Sequence, residues 1–467
     1  MAGFCARLGL MNQWIRWDAN AGAAEPSWRW LADMLAMPAL LLTPPRPRAD
    51  IALPASRIVD TPREKFLALL GEDGMRQDRD TRMAHGARAT AADRLKLRAG
   101  LVGDLPDAVL VPRNRDDVLS ILRICAEDSI AVAAASDKPH VAISLARMDR
   151  VLSVDFLSGL VEVEAGISST ELARQLAARG LMLSPDSFAA LGDHITRHDT
   201  PWLQDMKVAT PRGLIPTRRK LPGIITSATL RVHALPAASE QRQYLFPDFA
   251  AGLAALHEAE RHGILLSDAR LSDATRTRFD SKMAGGQQSL WQRLEDIYRQ
   301  VRQRNDQASA LAVTFTGADI ALHRKRFDAL ATKLGALVRA LPHAREDSEA
   351  LMDRGVTVDS VQAFSSWSKL PVLYAAARAA LDDAMRQHSP RAGGHGLVLA
   401  DVSGVSADGA NLRITTVFPR VLGDGVAQAQ AIRAVAETVF AGPPPALLET
   451  QLDQAIRQVL DPKGILS

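Results

Sequence analysis

Only two cysteines occur in the 467 residues, Cys5 and Cys125, and neither has a neighbour at CxxC spacing. That excludes a disulfide framework and a cysteine zinc site, and the usage suits a reducing cytoplasm. A strong excess of charge is also missing: the formal net charge is +3. So small a surplus does not call for a nucleic-acid partner, although it would not repel an anionic lipid surface. Long apolar runs are absent as well. The run Leu31 to Leu42 reaches about half the length of a membrane-spanning helix. The opening stretch MAGFCARLGLMNQWIRWDANAG lacks an uninterrupted apolar core followed by a small-residue cleavage site, so no secretory leader is expected. Met11 can serve as the translation start as well as Met1, because the residues between them carry no pattern. There is no internal repeat and no low-complexity tail. What remains is ordinary globular composition, 47% apolar and 23% charged, in a chain long enough for two or three cores.

Residues 1–100 read as helical and arginine-rich, broken by the proline cluster Thr43 to Arg48, an extended connector. A capped helix is expected to start at the Thr-Pro of Thr61. From Pro106 the texture changes. DAVLVP and IAVAAAS are short buried strand candidates on either side of RDDVLSILRICAEDS, which has helical spacing. ISLARMDRVLSVD and LVEVEAG follow, then a helix SSTELARQLAARG that Ser168 or Ser169 can cap and Gly180 can close. The alternation indicates an α/β or α+β unit, with ATLRVHALP as its closing strand. Beyond residue 237 come alanine-rich helices: FAAGLAALHEAERHG, HRKRFDALATKLGALVRAL and PVLYAAARAALDDAMRQ. Between them lie the strand candidates SALAVTFTG, GLVLADVSG and LRITTVF. This predicts a sheet with helices on one face.

Taken in order, these segments resemble one family. LPDAVLVPRNRDDVLSIL looks like the opening of a FAD-binding domain of the vanillyl-alcohol-oxidase (PCMH) type, and VEVEAGISSTELARQLAARGLML like its continuation. VATPRG, GIITSATLRVHALP and the final LDPKGIL are also typical. Two outer regions, IALPASRI through ADRLKLRAG and LMDRGVTVDSVQAFSSWSKLPVLYAAARAAL, narrow the match to alkylglycerone-phosphate synthases and their bacterial homologues. The resemblance runs from about Trp14 to the end. It implies an α+β class: a PCMH-type FAD-binding fold in two subdomains plus a cap domain of antiparallel sheet covered by helices. The expected division is 1–100 N-terminal helical extension, 101–236 FAD-binding-type domain, 237–440 cap domain, and 441–467 a C-terminal helix returning to the FAD-type domain.

The departures from the family pattern lie where cofactor and substrate would sit. The glycine-rich loop that wraps the FAD pyrophosphate is replaced by AAASDKPHVAISL, Ala133 to Leu145, which has no glycine and carries Asp137. Glycine matters there because backbone amides must approach the phosphates closely. Of a Pro-Asp-Ser…Leu-Gly-Gly pattern, Pro185, Asp186, Ser187 and Gly192 persist, with Asp193 in place of the second glycine. Of a Gly-Ser-Glu-Gly-Thr-Leu-Gly run, Gly223, Ile224, Ile225 and Thr226 remain. These are the cofactor-binding remnants. The histidine-rich stretch that alkylglycerone-phosphate synthases carry before the terminal helix is missing: no histidine follows His395. The cap motif with its tyrosine and arginine is shortened to PHAREDSEALMDRG. No catalytic residue is carried over, and no metal site is expected.

Other constellations have plainer readings. His194 and His198, with Asp193 and Asp199, would share a helical face and could bind a metal. No third ligand is evident, and Gly192 and Pro201 confine them to a loop of solvated pairs. Arg218, Arg219 and Lys220 could hold an anion, or are a solvated loop left by a deletion, which is preferred. Trp14, Trp17, Trp28 and Trp30 could form an interfacial belt, but packing of an N-terminal helix is preferred. Gly393 to Gly396 reads as a strand-entry turn. The expected function is that of a degenerate FAD-linked-oxidase-fold flavoprotein homologue, a pseudoenzyme serving as a binding or assembly partner. Its partner would be a flavoenzyme paralogue or another protein, with peripheral lipid contact open. The alternative is a FAD-dependent oxidoreductase or ether-lipid transferase with an altered site. FAD is the cofactor the resemblance implies, and the altered loops argue against its being held.

Overall fold

The structure is a computed structural model. It describes residues 25–86, 90–102, 105–132, 139–183, 203–217, 221–236, 238–283, 307–317, 319–338, 348–441 and 447–466.

The first unit is built on two main sheets, with a short antiparallel pair, Leu181–Met182 and His233–Ala234, beside them. In the smaller main sheet, Ala108–Leu110 and Ala131–Val132 both pair in parallel with His140–Ile143. Parallel strands need a crossover, and helix Arg115–Glu127 supplies it. Its start is fixed by Asn114, whose side chain accepts from the amides of Asp116 and Asp117, both at 2.9 Å. The helix buries Val118, Ile121, Leu122 and Cys125 against Leu110, Val132 and Val141, with Phe66 and Leu70 of helix Asp60–Leu70 in the same core. Burial pushes the Cys125 thiol up to about 12, so it packs as a small apolar group. Two details differ from the sequence reading. Helix Asp60–Leu70 has no side-chain cap, its N-cap position being Val59. Met75–Arg76, placed in a helical stretch, is instead an edge strand antiparallel to Val109–Leu110.

The second sheet is antiparallel, in the order Val151–Asp155, Leu160–Glu164, Ile224–Arg231, Leu203–Thr210, Gly213–Thr217. Alternation sorts its faces. Val161, Val163, Ala228 and Leu230 turn toward Leu172 and Leu176 of helix Ser169–Ala177. Glu162, Lys207 and Ser227 form a polar group linked by hydrogen bonds. Ser168 caps the helix through the Glu171 amide, and Gly180 follows its end at φ +69°. Gly166 marks the tightest crossing, because a methyl group there would overlap the Leu145 carbonyl oxygen. Gly166→Ala should destabilise the chain by about 2 kcal/mol or more, since backbone rather than a flexible side chain must move. An unchanged urea midpoint would refute this.

The cap domain carries a seven-stranded antiparallel sheet. Its order is Leu337–Val338, Ser239–Phe246, Ser309–Thr316, Asp268–Ser272, Leu397–Ser406, Gly409–Pro419, Val356–Ser366. Helices Phe249–Arg261, Ile320–Lys333, Leu370–Gln387 and Gly425–Ala441 share one core with Val398, Ala400, Leu412 and Ile414. The strand residues of opposite parity, Leu397, Leu399, Val356 and Val358, are covered too. There helix Glu25–Met34 brings Trp28 and Leu31, and helix Ala274–Met283 brings Phe279. Helices therefore cover part of the second face, beyond the one-faced arrangement expected. Trp28 is buried, and Trp30 stacks edge-on against Phe279 at 6.3 Å, while Trp14 and Trp17 lie outside the described residues. The helix expected to run on through Leu341 stops at Lys333. Gly335 at φ +81° turns the chain, and Leu337–Val338 pairs with Tyr244 and Leu245. Gly396 leads into strand Leu397–Ser406, as a strand-entry turn requires.

Two connections tie the units together. Helix Ala91–Arg98 puts Leu95 into the cap core. At the other end of the chain, helix Leu447–Leu460 leads to Ile465, which enters the core of the first unit. There the Val132 amide donates to Ile465 O at 2.7 Å. The Asp461 carboxylate accepts from the Ile465 and Leu466 amides and shapes that final turn. Among the described residues no helix is long and apolar enough to cross a membrane.

Candidate functional site

Many of the residues singled out in the sequence lie outside the described residues: Asp137, Pro185, Asp186, Ser187, Gly192, Asp193, His194, His198, Asp199 and the cluster Arg218 to Lys220. The third remnant is described. Gly223 has φ +153°, and a Cβ there would meet Ala209 O and Val208 Cγ1, each at 2.5 Å. Ile224 and Ile225 pair with Ala209 and Val208, and the Thr226 hydroxyl donates to Lys207 O at 3.0 Å. Close approach of two strands is itself a reason for glycine at position 223.

The described residues bordering the glycine-free stretch Ala133 to Leu145 are engaged in the same way. The amides of Ala131, Val132 and Ser144 donate to Pro139 O, Ile465 O and Leu110 O. His140 is buried, its amide donates to Asp107 Oδ2 at 2.9 Å, and its Nδ1 lies 3.2 Å from the Arg57 guanidinium. Arg57 also grips both Asp107 oxygens. Burial pushes the Asp107 carboxyl up, but the hydrogen bonds from Arg57 and the His140 amide outweigh it and hold the group below its ordinary range. The Arg57–Asp107 ion pair, with His140 beside it, braces the stretch before helix Asp60–Leu70 against the parallel sheet. Residues 133–138, where a pyrophosphate would be met, lie outside the described residues. The amides of Ala131, Val132, His140 and Ser144 at this edge are engaged within the fold, so those four offer no donor to a pyrophosphate.

The cap domain presents what the sequence did not reveal. A cavity of about 1160 Å³ opens between helices Phe249–Arg261 and Leu370–Gln387, lined by Phe249, Leu253, Trp367, Leu370, Tyr374 and Arg378 among others. Trp367 stacks on His257 and Phe249 lies over Tyr374, so two ring pairs stand in its walls. At its base the Tyr374 hydroxyl donates to Asp273 Oδ2 at 3.0 Å, and Arg378 donates to both. Asp273 is fully buried and starts helix Ala274–Met283, its other oxygen accepting from the Arg276 amide at 2.8 Å. Burial raises its carboxyl to about 6 against the opposing pull of the Arg276 amide and Arg378. Burial and the neighbouring Asp273 also raise the Tyr374 hydroxyl, which keeps its proton at neutral pH. The trio can orient a polar group at the cavity floor, yet its members already satisfy one another. Tyr374 and Arg378 stand four apart on one helix face, a signal visible in sequence, whereas their partner Asp273 is 101 residues away. Among the described residues no group of three His, Cys, Asp or Glu could hold a metal ion.

Comparison with known proteins places these features. Residues 106–193 match the FAD binding domain model, and residues 236–418 match the C-terminal domain of FAD linked oxidases. Alkyldihydroxyacetonephosphate synthase of Trypanosoma brucei brucei is 26% identical over 46% of this chain and 43% of its own length. The Dictyostelium discoideum protein of the same name is 25% identical over 44% and 41%. Each match spans less than half of the curated relative. A solved alkyldihydroxyacetonephosphate synthase structure superposes with a TM-score of 0.75 at 19% identity, covering 98% of this chain and 97% of that one. p-Cresol methylhydroxylase with substrate bound gives 0.62 at 13% over 89% and 98%. The two matched domains and the shared fold agree, and the chain belongs to the FAD-linked oxidase superfamily, with similarity to alkyldihydroxyacetonephosphate synthase.

Proposed function

We propose that this chain is a non-catalytic member of the superfamily that works as a binding or assembly partner, of a flavoenzyme paralogue or of another protein, in the cytoplasm. The observation that carries the reading is the stretch Ala133 to Leu145, which has no glycine where amides must meet two phosphates and adds Asp137 instead. The committed amides of Ala131, Val132 and Ser144 support it, as does the absence of any histidine after His395. His140 supports it too, because an imidazole buried against Arg57 is badly placed for a covalent flavin link. Loss of exposed loops leaves the apolar runs of the core in place, so the fold can outlast its cofactor.

The test is the visible absorption of the purified full-length protein. It should lack a flavin band, and the protein should make no ether lipid from acylglycerone phosphate and a fatty alcohol above a heat-killed control. A yellow protein with about one flavin per chain, or product formation, would contradict the reading. A second reading, a FAD-dependent oxidoreductase or ether-lipid transferase with an altered site, is favoured by one observation, the cavity lined by Tyr374 and Arg378, which both bond to the buried Asp273 behind it.

A further inference from the structure

We propose that the hairpin tip at Phe156 and Leu157 docks this protein onto an anionic lipid surface. The strands Val151–Asp155 and Leu160–Glu164 meet in a tight turn whose apolar residues point away from the core. Leu157 is 101% exposed and Phe156 67%, in a fold that buries Phe66, Phe246, Phe279, Phe315 and Phe327 almost completely. Exposure of two adjacent large apolar side chains at a protruding tip is a cost unless something covers them.

The tip is built, not loose. The Asp155 carboxylate accepts from the Leu157 and Ser158 amides, both at 3.0 Å, Gly159 takes φ +63°, and the Val232 amide donates to Gly159 O at 2.9 Å. Phe156 and Leu157 are therefore held out in one geometry. The one carboxylate at the tip, that of Asp155, is already spent on turn amides.

The surroundings are basic. Arg231 pairs with Leu160 across the neighbouring strand, and His233 follows it; both are exposed. The Leu235 amide donates to Gly180 O at 2.6 Å, which brings half-exposed Leu235 and exposed Arg179 alongside. Neither Arg231 nor Arg179 makes an ion pair among the described residues, and Arg179 donates to Gln175 O. Apolar residues with two arginines beside them suit the boundary of an anionic bilayer, where a tip reaching about 5–10 Å enters the headgroup zone. A protein partner needs about 800 Å² on each side, more than a two-residue tip offers.

The experiment is flotation of the full-length protein with phosphatidylcholine vesicles, with and without phosphatidylserine. Binding should require phosphatidylserine and weaken with added salt. It should fall about tenfold or more in Phe156→Ser/Leu157→Ser, and several-fold in Arg231→Glu. Leu322→Ser, which alters a half-exposed leucine on the cap, should bind like the parent. Thermal midpoints should stay unchanged, because all these side chains are exposed. Absence of vesicle binding by the parent protein, unaltered binding by the tip variant, or equal loss in Leu322→Ser would overturn the proposal.

Discussion

Replacing Arg98 with methionine is expected to remove about 3–5 kcal/mol of stability. Arg98 sits on helix Ala91–Arg98, its side chain only 3% exposed, and donates to Glu349 at 2.8 Å, to Asp353 and to Thr43 O. It thereby fastens the N-terminal region to helix Ser348–Asp353 of the cap. Arg94 adds a hydrogen bond to Val358 O at 2.7 Å on the same face. Burial pushes the Glu349 carboxyl above its ordinary range in spite of Arg98 and Arg94, so the pair itself is expensive to bury. Removing one partner is worse still, because Glu349 is then left without its main counter-charge. Urea titration should show the midpoint of Arg98→Met falling sharply, and Arg98→Met/Glu349→Leu should recover much of the loss. A double variant no better than the single one would show that packing, not unpaired charge, sets the effect.

Asp401→Asn should be nearly as damaging at neutral pH, by about 3 kcal/mol, and its effect should shrink in acid. The Asp401 carboxylate is buried under Arg270, which donates to both oxygens at 3.1 and 3.0 Å, with Ser272 at 2.9 Å and Arg276 and Arg413 further out. Burial raises the carboxyl, but the arginines dominate and hold it at about 2. Its folded value lies below the ordinary 3.8. Its contribution is therefore complete above about pH 4 and lost as pH falls toward about 2. That gap corresponds to about 2 kcal/mol. Urea midpoints of parent and variant measured at about pH 7 and about pH 3 should differ widely at the first and less at the second. A constant difference would mean that the charge on Asp401 is not what matters.

The fold was legible where local pattern and burial agree. VEVEA alternates as a half-buried strand, Ser168 announces a helix, and RDDVLSILRICAE carries a helical stripe ending at a buried cysteine. It was not legible where pairing is brief and distant. Met75–Arg76 and Leu337–Val338 are two-residue strands, defined only by partners more than 30 residues away, as in Met75 opposite Leu110. The site was read mainly as a set of losses. Gly223 stood out in the sequence, but the Ala209 O lying beside it, which also calls for glycine, is visible only in the folded chain. The cavity floor escaped notice because Asp273 meets Tyr374 and Arg378 only in the folded chain.

The central claim, a superfamily fold without its cofactor, is tested most directly by titrating FAD into the purified full-length protein in a calorimeter. The account predicts no saturable heat up to about 100 μM FAD, a dissociation constant too weak for a resident cofactor. One-to-one binding with a dissociation constant of about 1 μM or tighter would contradict it.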